Sequence, residues 1–216
     1  VNGVWQQVGK ADFAGTKYIF KVGARLVSIE QDGSLYLIDP TNGSWARSGS
    51  AGAWKGTIAG AVWGGQIYTG ENSGALYQTG PASGTWKQIG KNDFANTAFM
   101  FAANNMLLSI EKDGALYSIN PADGAWRKLG DSAAWLNTLA GAVFKDSLYT
   151  IESTGALYNT NLTTGAWQKI GNQNFGEMKF LFSTTSGLAG IDKNGNLISI
   201  EVGNDSPAAE SKNTAK

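Results

Sequence analysis

The chain has 216 residues, 17 of them basic and 17 acidic, for a formal net charge of +0 at pH 7. Balanced charge without a basic run removes the counterion-release drive for nucleic-acid binding and the attraction to an anionic membrane surface. Cys and His are both absent, which excludes disulfides, thiolate chemistry, most zinc sites and the Ser-His-Asp and Cys-His arrangements.

Read from the N-terminus, one pattern is written five times, in units 3–42, 43–83, 84–123, 124–164 and 165–204. Each unit opens on a tryptophan, at Trp5, Trp45, Trp86, Trp126 and Trp167, followed by Gly9, Gly49, Gly90, Gly130 and Gly171. A polar loop comes next and carries Phe13, Trp54, Phe94, Trp135 or Phe175. Each unit then has an acid, Glu30, Glu71, Glu111, Glu152 or Asp192, and closes on GSLY, GALY, GALY, GALY or GNLI.

Four strands are expected per unit, exemplified in the third by Trp86–Ile89, 98–102, Met106–Glu111 and 115–120. The last two alternate with the period of half-buried strands. Asp-Gly or Asn-Gly between them, as at Asp113-Gly114 and Asn194-Gly195, favours the positive φ that hairpin turns need. No useful helix-period run interrupts them. The expected fold class is therefore all-β: a five-bladed β-propeller of four-stranded antiparallel blades in one domain over 1–204. In this phase the Trp strand of each unit is the outer strand of the preceding blade, so blade one spans about residues 17–49. The fifth blade then takes its outer strand from residues 4–9, closing the ring and leaving no bare edge there. Residues 205–216, rich in Ala, Ser and Asn, read as a polar tail.

Two patterns modulate the repeat. Units one, three and five carry inner-strand aromatics, Tyr18 with Phe20, Phe99 with Phe101, and Phe180 with Phe182. Units two and four have Ala59-Gly60-Ala61 and Ala140-Gly141-Ala142 there, with tryptophan in the loop. Large against small is one explanation; room for a ligand near Trp54 and Trp135 is the other. The opening tryptophans are expected to pack on the outer strands. Trp63 and Phe144, at the opposite end of the blades from the repeated acids, mark a potential partner surface.

The connectivity places the repeated acids and the loop aromatics together, with Asp12, Asp93 and Asn174 beside them in the odd units. Aromatic faces pack on the apolar side of a sugar, and carboxylates or amides take its hydroxyls. The structural alternatives are acids that bond backbone N–H groups across the hairpin or at a blade junction, and aromatics that plug blade junctions. The run from Asp192 to Asn196 has a faint likeness to a calcium loop, but its spacing favours a plain turn. With no catalytic carboxylate pair on the inner strands and no metal cluster, neither catalysis nor a cofactor is expected.

The order Trp, Ile-Gly, loop aromatic, Phe-Leu-Phe and Gly-x-Leu-Tyr resembles the tachylectin-type lectin propellers. The best matching stretches are WQKIGNQNFGEMKFLF, from Trp167 to Phe182, and Gly52-Ala53-Trp54. A weaker similarity exists to tectonin-repeat propellers. The first resemblance implies five blades with one shallow site each, for N-acetylglucosamine or N-acetylgalactosamine. The expected function is multivalent glycan binding in a secreted protein, with Trp54, Trp135, Phe13, Phe94, Phe175, Glu30, Glu71, Glu111, Glu152, Asp192, Asp12, Asp93 and Asn174 as ligand contacts. A protein-interaction scaffold is the alternative. No nucleic-acid partner and no membrane insertion are expected, and an oligomer is left open.

Overall fold

The structure is a computed structural model that describes residues 6–203. The chain is an all-β, five-bladed β-propeller of antiparallel blades, with no helix among the described residues. Among the described residues 19 strands run in chain order. Blade one is β1 (Thr16–Val22), β2 (Arg25–Glu30), β3 (Leu35–Ile38) and β4 (Trp45–Ser48). Blade two is β5 (Thr57–Trp63), β6 (Gln66–Glu71), β7 (Leu76–Thr79) and β8 (Trp86–Ile89). Blade three is β9 (Thr97–Ala103), β10 (Met106–Glu111), β11 (Leu116–Ile119) and β12 (Trp126–Leu129). Blade four is β13 (Thr138–Phe144), β14 (Ser147–Glu152), β15 (Leu157–Asn161) and β16 (Trp167–Ile170). Blade five is β17 (Met178–Ser183), β18 (Leu188–Asp192) and β19 (Leu197–Ile200).

Every blade is a simple meander, and blades one to four each end on the tryptophan strand of the next sequence unit, as the strand phase predicts. Blade five has three strands among the described residues. The expected outer strand at residues 4–9 falls partly outside the described residues, and the expected polar tail lies wholly outside them. The chain divides into two compact units. Blades one and two belong to the first, which also takes residues 122–124; blades three, four and five belong to the second.

Local chemistry explains the strands. The hairpin glycines supply positive φ; Gly114, at φ 79°, lets the β10–β11 turn close. There the Gly114 N–H donates to Glu111 O at 2.8 Å, and Glu111 N–H donates to Ala115 O at 2.8 Å. At the other end of blade one, Asp39 organises the β3–β4 turn by accepting from the Thr41 N–H and hydroxyl.

The alternation of large and small inner strands is packing. A methyl group on Gly60 would lie 2.8 Å from Phe20 Cζ, so the β1 ring fills the space that β5 leaves. In the second unit Phe101 does the same against Gly141, at 2.7 Å. The space expected for a ligand on β5 and β13 is therefore occupied by neighbouring rings. The core of the first unit gathers Val27, Ile29, Leu35, Trp54 and Ile67. In the second, Leu108, Ile110, Leu116, Leu129, Trp135 and Leu148 form one cluster, and Ile151, Leu157, Met178 and Leu188 belong to another.

Candidate functional site

The loop aromatics that lead into blades two to five are held by a backbone latch. Trp54 N–H donates to Gly33 O at 3.1 Å, Phe94 N–H to Gly74 O at 3.0 Å, Trp135 N–H to Gly114 O at 3.0 Å, and Phe175 N–H to Gly155 O at 2.7 Å. Each bond ties a loop to the preceding hairpin and fixes where the ring points.

For Trp54 and Trp135 that direction is inward. They are 2% and 3% exposed, and their indole N–H groups donate to Thr79 Oγ1 at 3.3 Å and Thr160 Oγ1 at 3.4 Å. Phe94 is likewise buried. These three rings are core, which corrects the expectation that they meet a ligand: burying their large apolar surface stabilises the fold more than exposing it. Phe13 and Phe175 are half-buried, the latter packed on the blade-four and blade-five core.

The acids are also mostly structural. Glu30, Glu71, Glu111 and Glu152 are buried, and each accepts a hydroxyl from the residue facing it across the strand pair. The donors are Thr16 at 3.0 Å, Thr57 at 2.8 Å, Thr97 at 3.0 Å and Thr138 at 3.0 Å. Ser28 adds a second bond to Glu30 at 2.5 Å. Burial pushes the Glu71 and Glu111 carboxyls above the usual range, against the pull of these hydroxyls. The sugar-contact expectation is corrected for Glu71, Glu111 and Glu152, whose partners are inner-strand threonine hydroxyls rather than the backbone N–H groups expected across the hairpin.

Unit five departs because Met178 stands where the others have threonine. Asp192 instead accepts from Asn194 N–H at 2.9 Å, Asn196 N–H at 2.8 Å and Asn196 Nδ2 at 2.9 Å. The Asn196 side chain foremost, with backbone N–H groups, holds its carboxyl below the usual range. That is a turn, as its spacing favours. Asn174 and Asp93 are exposed; Asn174 accepts from Gly176 N–H at 2.9 Å.

One set of predicted residues does converge. Asp12, Phe13 and Glu30 line a cleft of ≈ 430 Å³ on blade one, together with Asp32, Tyr36 and Trp45. Trp45 is 45% exposed, and its indole N–H donates to Asp12 Oδ2 at 2.9 Å. Its ring meets Tyr36 edge-on, with centroids 4.7 Å apart and planes at 74°. An indole face is thus held half open to water beside three carboxylates, with no cation in the lining. Asp32 spends acceptor capacity on Ser34 N–H at 2.8 Å, while Asp12 uses one oxygen on the indole, and a carboxylate offers about four lone-pair sites.

Trp45 and Tyr36 escaped the sequence reading, which assigned the opening tryptophans to packing. The same pairing recurs at Tyr77 with Trp86, Tyr117 with Trp126 and Tyr158 with Trp167, at centroid distances of 4.6, 5.1 and 5.1 Å. Trp86 and Trp126 are 52% and 49% exposed. The signal was present: β4, β8 and β12 are the edge strands of four-stranded blades, and an edge strand offers little cover for an indole. Trp63 is half-buried against Tyr68 and Phe144 is buried, so the expected partner surface there is largely closed, a correction that follows from their packing at the strand ends.

No protein-family model matches the chain, and no curated protein matches it. Solved structures do. The computationally designed protein Ika8 is 16% identical with a TM-score of 0.58, over 83% of this chain and 56% of that one. YCF48, solved bound to D1 peptide, is 14% identical with a TM-score of 0.60, over 85% of this chain and 63% of that one. A protein of unknown function from Bacteroides thetaiotaomicron is 13% identical with a TM-score of 0.63, over 83% of this chain and 56% of that one. The chain thus spans less than two thirds of the length of each of these three. At such identities the likeness shows the fold alone.

Proposed function

We propose that this chain is a non-catalytic, extracellular carbohydrate-binding propeller, and that the blade-one cleft takes a neutral N-acetylated hexosamine. The observation that carries the proposal is Trp45: a large indole nearly half exposed, yet held by Asp12 and Tyr36 so that one face stays presented. The apolar side of a pyranose packs on such a face, while Asp12 and Asp32 accept from hydroxyl and acetamido donors. The resemblance to tachylectin-type lectins points the same way. One shallow site of this kind binds weakly, on the order of millimolar. Linked sites raise avidity by roughly 10² to 10⁴ without a new contact.

The test is calorimetric titration of the folded protein with N-acetylglucosamine and N-acetylgalactosamine, repeated with Trp45→Ala. Saturable heat lost in the variant supports the assignment; equal heat in both removes Trp45 from the site.

A second reading, a protein-interaction scaffold, is favoured by blade five. There Phe180, Phe182 and Leu197 lie exposed on one face, because Phe180 and Leu197 both pair with Ile191 and Phe182 is two residues along. YCF48 carries a peptide on a related fold. A blank glycan array on folded protein, with retained binding to a protein partner, would favour this reading.

A further inference from the structure

Two more clefts sit at the other end of the blades from the hairpin acids, and they are equivalents of each other in successive repeats. On blade two, Gln66, Gln78, Thr85, Trp86 and Lys87 line a cleft of ≈ 230 Å³. On blade three, Asn105, Ser118, Asn120, Trp126 and Arg127 line one of ≈ 370 Å³. In each, the opening tryptophan of a unit is half exposed, braced by a tyrosine on the adjacent strand, and followed by the one charged residue of the lining. Amides and hydroxyls supply the remaining polar groups.

The charge is the reverse of that beside Trp45. Three carboxylates line the blade-one cleft and no cation does; one cation lines each of these and no carboxylate does. A site selects its ligand by complementary potential more than by contact area. We infer that the clefts beside Trp86 and Trp126 bind anionic saccharide residues, uronates or sugar sulfates. The indole carries the ring, the amides and hydroxyls take its hydroxyls, and Lys87 or Arg127 pairs with the acid group.

Arg127 is partly directed already, since its Nη2 donates to Thr163 O at 3.3 Å, which leaves the other guanidinium donors for a carboxylate or sulfate. A single cation per cleft in a chain of zero net charge does not build the multi-phosphate footprint of nucleic acid. The inference does not depend on the Trp45 site, because no lining residue is shared.

The experiment is calorimetric titration with a heparin-derived tetrasaccharide and with its desulfated, carboxyl-reduced counterpart, at two salt concentrations. Four proteins are compared: wild type, Trp45→Ala, Trp86→Ala with Trp126→Ala, and Lys87→Gln with Arg127→Gln. The inference expects binding of the charged sugar alone, weakened by salt, unchanged in Trp45→Ala, and reduced at least about tenfold in both double variants. Lys87 and Arg127 are exposed, so the charge variant reports even where loss of two indoles disturbs the fold. Equal affinity for the desulfated sugar, no binding by folded wild type, or full affinity in the charge variant overturns it. Loss in Trp45→Ala alone overturns it as well, and returns the ligand to blade one.

Discussion

The Trp45 indole N–H donates to the Asp12 carboxylate at 2.9 Å, joining the outer edge of blade one to the loop that enters it. An exposed, charge-assisted bond of this kind adds about 1 kcal/mol or less to stability. Its larger effect is to orient the ring. Asp12→Ala is therefore expected to leave the denaturation midpoint nearly unchanged and to weaken N-acetylhexosamine binding several-fold, read by calorimetry and by the ligand-induced change in tryptophan fluorescence. A folded Asp12→Ala protein with undiminished affinity would show that ring orientation is unimportant.

Trp54 and Trp45 separate stability from binding, although both are tryptophans in the first compact unit. Trp54→Ala empties a core site and is expected to cost about 3–5 kcal/mol in urea denaturation. Trp45→Ala removes a half-exposed ring and is expected to cost about 1 kcal/mol or less while abolishing the blade-one site. Similar losses of stability for both would contradict their different burial.

The buried carboxyls give a signed pH dependence. Burial raises the folded-state pKa of Glu71 and Glu111 above the ordinary glutamate value of 4.5, so the folded chain binds more protons than the unfolded chain in the window above 4.5. Their contribution is most favourable below that window and declines as pH rises through the raised values. Glu71→Gln with Glu111→Gln should flatten this decline, since the amide oxygen still accepts the Thr57 and Thr97 hydroxyls. Asp39 and Asp192 act oppositely: hydrogen bonds from Thr41 and Asn196 lower their pKa, and what they add is lost as pH falls below 3.8 through the lowered values. Denaturation midpoints across a pH series check both limbs.

Two hairpin glycines with the same backbone should respond differently to substitution. Gly114 and Gly195 have φ of 79° and 82°. A methyl group at Gly114 would lie 2.3 Å from Leu136 N, whereas one at Gly195 meets nothing within 4 Å. Gly195→Ala is expected to cost about 1–2 kcal/mol, the left-handed penalty alone. Gly114→Ala pays that and must also break the latch on Trp135, so its midpoint should fall clearly further.

The blade architecture was legible because it is a local and repeated property. Period-2 alternation, Asp-Gly turns and the fixed spacing of Trp, Gly and acid specify four strands and their phase without long-range information. The sequence also carries a signal for the threonine that hydrogen-bonds each buried Glu, since Thr16, Thr57, Thr97 and Thr138 keep one spacing to their acids and Met178 breaks it where the acid becomes Asp192.

Which aromatics face water was decided by tertiary structure. Trp54 and Trp45 look equally available in one dimension, because both follow glycine-containing loops and both recur along the chain. Burial depends on what packs above a strand. The loop ring is drawn in by a latch to the preceding hairpin and by Thr79, whereas the edge-strand ring has a tyrosine on one side and solvent on the other. Repetition in the sequence determined the blades; only their packing settled that Trp54 and Trp135 are core while Trp45, Trp86 and Trp126 stay about half exposed.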